Sequence, residues 1–259
     1  MFFGAAETTA YDLKFRLLDI PVRVHPLFWL VMLLISGQSK DLRAAAVFVV
    51  CAFISILVHE FGHGLASRAL GREPDGIVLY AMGGLCYTPA DRQSPMGRLL
   101  VLAAGPGAGF LLLGLVLAWA SAVLRIAPAD SLAFIGVGNG NPLPAFRGLA
   151  SAPPALFEAF HSLLYINFWW GVLNLLPIWP LDGGQIAGVL LGAVDRRNGQ
   201  RWAHFLSIVT VGLIAYWFVE QGRFLPALWF GYFGYVNYQM LQSMQRSYLS
   251  GDDWDSWRR

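Results

Sequence analysis

The chain has 259 residues, 56% of them hydrophobic and only 13% charged, against about a quarter charged in soluble globular proteins. That balance excludes an ordinary soluble domain and points to a polytopic membrane protein, while a formal net charge of +2 without any basic cluster excludes a nucleic-acid partner. Cys51 and Cys86 are too few for a disulfide framework or a cysteine metal site and read as small apolar side chains.

Residues 1–23 carry Glu7, Asp12, Lys14, Arg16, Asp19 and Arg23, unlike a cleaved signal peptide, so the first span is expected to stay in the mature chain. Residues 11–24 mix apolar and charged side chains in rough alternation, as a short strand or interfacial segment does. Pro26 then suits the opening of a helix. Charge-poor stretches predict six spans, at about 24–39, 44–66, 99–124, 157–181, 202–220 and 224–245, most of them near the roughly 20 residues that cross a bilayer. The expected fold is an all-α integral membrane protein of six transmembrane helices in one domain over 1–259. A short strand or hairpin follows the second helix, and 246–259 form an inner tail whose end, 251–259, is frayed. The apolar stretch 183–194 is too short to cross and reads as an extension of the fourth span or an interfacial helix.

With the N-terminus inside, the inner segments hold Lys14, Arg16, Arg23, Arg68, Arg72, Arg92, Arg98, Arg196, Arg197, Arg201, Arg246, Arg258 and Arg259, thirteen of the eighteen basic residues. Both termini are therefore expected on the cytoplasmic side. The compact layout without a transit peptide fits a prokaryotic cytoplasmic (inner) membrane.

The second span ends on His59-Glu60-Phe61-Gly62-His63. A helix places residues four apart on one face with Cβ atoms about 5–6 Å apart, so both imidazoles can reach one Zn²⁺ at about 2.0–2.1 Å. Glu60, beside the first ligand, is placed to act as general base. A glutamate between two histidines at membrane depth is costly and is functional by default. In the loop that follows, 77–82 read as a strand and Gly83-Gly84 as a turn or bulge. The outer loop 125–154, rich in Gly, Pro, Ala and Asn, reads as an irregular linker.

A catalytic zinc needs a third protein ligand and an open fourth position. The position where soluble relatives of this motif place a third histidine holds Ala69, and Glu73 is too near and lies in a polar loop. Asp182 remains, in the segment Asn174-Leu175-Leu176-Pro177-Ile178-Trp179-Pro180-Leu181-Asp182-Gly183-Gly184. Pro177 and Pro180 must interrupt the fourth helix, and broken backbone is tolerated at that depth only where it lines a cavity. Counting about 1.5 Å per residue from Ala44, His59 lies roughly 22 Å into a core of about 30 Å, so it and Asp182 converge in the inner half of the membrane. His25, His161 and His204 lack ligand partners at helical spacing and read as interfacial or hydrogen-bonded side chains.

HEFGH on a second span with NLLPIWPLDGG on a fourth resembles the site-2 protease family of intramembrane zinc metalloproteases, peptidase family M50. Ile20-Pro21-Val22-Arg23-Val24-His25-Pro26, Gly83-Gly84 and Ala104-Gly105-Pro106 are also similar to that family, and the resemblance covers roughly residues 14–195. It implies one Zn²⁺ per chain on His59, His63 and Asp182, with Glu60 activating the zinc-bound water. It also implies Asn174 as an oxyanion donor and Gly83 and Gly84 beside the active site, where the strand before them pairs with an unwound substrate. The implied activity is regulated intramembrane proteolysis of transmembrane substrates within a lipid bilayer. Many members of the family carry a PDZ or a CBS domain, for which this sequence is expected to have no room; that puts the regulator in doubt and makes a regulatory membrane protein a candidate partner.

Two other classes compete. A divalent-metal transporter explains the His and Asp ligands but not Glu60, and it should show paired repeats that this sequence lacks. A silent scaffold for transmembrane helices predicts that Glu60→Ala is tolerated.

Overall fold

Alternating side chains make the first strand pair. In the computed structural model, which describes residues 8–36, 41–81, 83–88, 94–149 and 152–250, β1 (Leu13–Leu17) pairs antiparallel with β2 (Ile20–Val24). Leu18 and Asp19 between them both take positive φ, 51° and 62°, the backbone of a two-residue hairpin turn whose twist matches the strands. Arg16 donates to the Asp19 carbonyl at 2.7 Å and closes the turn. Ile20, Val22 and Val24 point inward and are buried, while most of β1 is exposed.

β2 runs parallel to β3 (Gly76–Tyr80), with Val22 beside Ile77 and Val24 beside Leu79, and β3 pairs antiparallel with β4 (Gly83–Tyr87). The hairpin expected after the second helix is thus half of a four-stranded sheet in the order β1-β2-β3-β4. Gly83 and Gly84 are not a turn but the first residues of β4, opposite Tyr80 and Leu79. Gly83 takes a φ of +117°, which favours glycine and lets β4 begin two residues after β3 ends. Since β3 already has a neighbour on each side, it has no edge to offer a substrate, and the expected pairing with the strand before the glycines does not fit this sheet. β4, like β1, is an end strand.

The helices are α1 (Pro26–Ser36), α2 (Leu42–Ala69), α3 (Pro95–Trp119, continuing as a π-helical turn over Ala120–Leu124), α4 (Pro128–Phe134), α5 (Leu143–Leu149), α6 (Pro154–Leu175), α7 (Asp182–Val194), α8 (Gly199–Glu220) and α9 (Phe224–Ser250). Among the described residues three helices are long and apolar enough to cross a membrane: Leu42–Ala69, Pro95–Leu124 and Gly199–Glu220. α1 has 11 residues and rises about 16 Å, half of a bilayer core. α6 and α9 are long enough, but Glu158, His161, Asn167 and Asn174 interrupt the apolar run of the first, and glutamines and a serine that of the second. The outer loop expected as irregular contains α4 and α5, and 183–194, with Asp182, is a helix of its own, α7. The tail 251–259, the end of the first span at 37–39 and Met82 lie outside the described residues.

The described residues form two compact units. One comes from the segments Phe3–Arg92 and Ala103–Val172, the other from Gln93–Leu102 and Leu173–Arg259. In the first, the inner face of the sheet packs with Phe28 and Met32 of α1 and Ala52, Ile56 and Phe61 of α2 into one cluster. Leu113, Phe160, Leu164 and Leu149 form another. In the second, α7 packs on α8 and α8 on α9.

Close helix contact in the first unit depends on small residues, as expected where lipid supplies no hydrophobic drive between helices. A Cβ on Gly62 would overlap the Ala104 carbonyl of α3 and lie 2.9 Å from Ala108 Cβ. Gly62→Ala gains about 1 kcal/mol of helix propensity but must push a backbone carbonyl away, an overpacking cost of about 1–3 kcal/mol. Its thermal midpoint in detergent should fall below wild type, and that of Gly62→Val by more. A raised midpoint for Gly62→Ala would show that α2 and α3 separate at no cost.

Candidate metal centre

α2 owes its inward face to its polar residues. Ser55, His59, His63 and Ser67 recur every fourth position and all are buried, whereas Val50, Ile54 and Leu65 face outward. In an apolar medium a helix turns such groups to its protein-facing side. His59 and His63 are 3% and 8% exposed, and their Nε2 atoms are 3.3 Å apart. Two nitrogens at about 2.0–2.1 Å from one tetrahedral ion stand about 3.4 Å apart, so the pair already has the spacing of two zinc ligands.

Two glycines make room for this face. A Cβ on Gly105 of α3 would overlap the His63 ring at Nε2 and Cε1, and one on Gly84 of β4 would overlap the Glu60 carboxylate. The backbone of β4 therefore runs directly against Glu60, which is 5% exposed. Gly83 lies one residue farther, where a Cβ would sit 2.6 Å from the Trp170 ring. The structure thus brings Glu60 and Gly84 together and sets Gly83 against Trp170 instead.

Cys86, on the same strand, has its thiol pushed up to about 12 by burial first, with the charges of Glu60 and Asp75 adding. The thiolate is the reactive form, so at pH 8 alkylation of Cys86 in a Cys51→Ser background should run about a thousandfold slower than that of an unperturbed thiol. The rate should rise about tenfold per pH unit from 8 to 10; labelling at the rate of a free thiol at pH 8 would overturn this.

Asn174 and Asp182 flank a break in the helical chain and belong to the second unit. Asn174 lies in the last turn of α6 and Asp182 in the first turn of α7, 8% and 7% exposed. The six residues between the end of α6 and the start of α7 hold two prolines, as expected for an interruption here. Gly183 and Gly184 let α7 start hard against it, since a Cβ on the first would overlap the Leu175 and Leu176 carbonyls and one on the second the Ile178–Trp179 backbone. Gln185 Nε2 donates to the Pro180 carbonyl at 3.1 Å, a contact the sequence did not signal. His25 and His204 are hydrogen-bonded, as expected: His25 Nδ1 accepts from the Leu27 amide and His204 meets Asn237.

Buried imidazoles and a buried aspartate are the donor types zinc takes. A mostly helical chain with membrane-length apolar helices and an HExxH pair on one of them falls in the class of membrane metallopeptidases. The profile of Peptidase family M50 matches residues 47–217, and the chain belongs to that family. It is 28% identical over 179 residues to Zinc metalloprotease MJ0392 of Methanocaldococcus jannaschii, covering 68% of this chain and 44% of that one. It is 26% identical over 176 residues to Stage IV sporulation protein FB of Bacillus subtilis, covering 67% and 48%. The chain thus spans less than half the length of these curated relatives. In fold it is similar to the Site-2 Protease from Methanocaldococcus jannaschii, with a TM-score of 0.56, 21% identity and coverage of 89% of this chain and 95% of that one.

Proposed function

We propose that the chain is an intramembrane zinc endopeptidase that hydrolyses peptide bonds within or near transmembrane segments of other membrane proteins, as in regulated intramembrane proteolysis. The observation that carries this reading is the buried pair of imidazole nitrogens 3.3 Å apart on an apolar helix, with Glu60 next to the first. His59, His63 and Asp182 hold one zinc, and a three-ligand set leaves the open position a catalytic ion needs. Zinc held there would supply Lewis-acid activation of the attacking water and of the peptide carbonyl.

Glu60 takes the proton of the attacking water and gives it to the departing amine as the peptide C–N bond breaks. Asn174, with an amide to donate, stabilises the carbonyl oxygen as charge develops there. Substrate must be unwound before its carbonyls are accessible, and an extended segment added to the edge of β4 at Gly83 and Gly84 would lie beside Glu60. The contact between the Gly84 backbone and Glu60 supports this placement. Six spans, both termini on the inner face of a prokaryotic cytoplasmic membrane and a separate regulatory membrane protein complete the reading.

The test is zinc content together with cleavage of a co-reconstituted transmembrane substrate. Asp182→Ala should lose zinc and cleavage, whereas Glu60→Gln should keep zinc. Zinc bound without cleavage, with metal flux that survives Glu60→Gln, would favour a transporter instead.

A further inference from the structure

The break between α6 and α7 presents an accounting problem. Outside a helix its backbone N–H and C=O groups lose their regular partners, and at membrane depth each unpaired group costs several kcal/mol. Ile178 and Leu181 solve this locally, since the Leu181 amide donates to the Ile178 carbonyl at 2.8 Å. Trp179 does not. Its amide donates to Ser207 Oγ of α8 at 3.0 Å, and its carbonyl accepts from Asn237 Nδ2 of α9 at 2.8 Å.

His204 completes the arrangement. Asn237 Nδ2 also donates to the Phe233 carbonyl at 2.8 Å, so both its protons go to carbonyls and Oδ1 is left as an acceptor. His204 Nδ1 lies 2.7 Å from that oxygen and must carry the proton it donates. The His204 ring also lies against the Trp179 indole, with centroids 5.6 Å apart. His204, Ser207 and Asn237 are 4%, 0% and 0% exposed. Such groups are kept at a cost, and all three converge on the one residue that stands three positions before Asp182.

We propose that Asn237, oriented by His204 and joined by Ser207, is a positioning residue for the metal site: it fixes Trp179 and, through it, the start of α7 that carries Asp182. The inference rests on the reading of Asp182 as a zinc ligand. Gly184 transmits the constraint, because it packs against the Trp179 amide without a side chain between. α8 and α9 thereby set the geometry of a ligand that neither of them carries. Partners that orient ligands are worth about 10–100-fold in metal affinity.

The experiment is zinc competition with a chelator on the purified full chain, for wild type, Asn237→Leu, His204→Leu, His204→Gln and Asp182→Ala, with helicity of the metal-free protein measured alongside. Asn237→Leu and His204→Leu should weaken zinc binding at least tenfold with helicity unchanged. His204→Gln, which can still donate to Asn237 Oδ1, should return to within about threefold of wild type. A purely structural role would not discriminate Gln from Leu in this way, nor alter the ligand-field absorption of Co²⁺ bound at saturation, which His204→Leu should change. Wild-type zinc affinity in Asn237→Leu, beside a loss in Asp182→Ala, would overturn the proposal and leave the ligand intact. Wild-type affinity in Asp182→Ala would overturn the ligand reading itself. If Asn237→Leu does not fold, Ser207→Ala, which deletes one hydroxyl, should weaken zinc binding in the same direction.

Discussion

Glu60→Gln is expected to keep zinc and the fold while lowering the rate of substrate cleavage by a factor on the order of 10²–10⁴, the usual contribution of a positioned general base. The substitution is nearly isosteric, so the contact with Gly84 of β4 survives and the two imidazoles are not disturbed. On the proposed mechanism what is lost is the proton acceptor for the attacking water. Each tenfold in rate is about 1.36 kcal/mol of barrier, so the upper end of this range is about 5.4 kcal/mol, too large for a merely structural glutamate whose replacement leaves the fold unchanged. Single-turnover cleavage with zinc content measured on the same samples checks it. Cleavage within tenfold of wild type, zinc retained, would remove Glu60 from the mechanism.

How much of this was legible depends on the range of the interaction. The HExxH spacing is local, and helix geometry alone converts it into two nitrogens at ligand separation. The proline break is local as well, and α6 ends and α7 begins on either side of Pro177 and Pro180. By contrast, Val22 beside Ile77 is a parallel pairing across more than fifty residues that include two whole helices, α1 and α2, and no local alternation reveals it. That pairing places β3 inside the sheet and moves the exposed edge to β4. The Gly-Gly pair read as a turn because glycines punctuate chains, whereas here they admit Glu60 and Trp170 side chains beside a strand. His204 read only as an interfacial or hydrogen-bonded side chain, and nothing in the local sequence singled out Ser207 or Asn237. The Trp179 backbone that Ser207 and Asn237 bind, and the Asn237 amide that His204 orients, come together only once the chain has folded. Among the described residues hydropathy supports three crossings, because Glu158, His161, Asn167 and Asn174 lower the apolar character of α6 and glutamines that of α9.

The same distinction between backbone and side chain predicts that Gly105→Ala will abolish tight zinc binding in a protein that still folds. An added Cβ at this position falls on the His63 imidazole, at Nε2, Cε1 and Cδ2, and on no backbone atom among its nearest neighbours. The ring is the end of a flexible side chain and can swing away at the cost of a rotamer, about 0.5–1.5 kcal/mol if it ends off a staggered well. The fold therefore tolerates the change, helped by the better helix propensity of alanine, worth about 1 kcal/mol. The metal does not. Ligand distances must hold within about 0.2 Å, and a displaced ring takes His63 Nε2 away from its 3.3 Å separation from His59. With one of the three proposed ligands withdrawn, zinc affinity should fall at least a hundredfold. Gly107→Ala is the matched control, since it lies two residues along the same helix with nothing within 4 Å of its added carbon. Chelator competition on the two variants should separate them by that factor, with thermal midpoints close to each other. Equal zinc affinity in both would mean that His63, as oriented here, does not bind the ion.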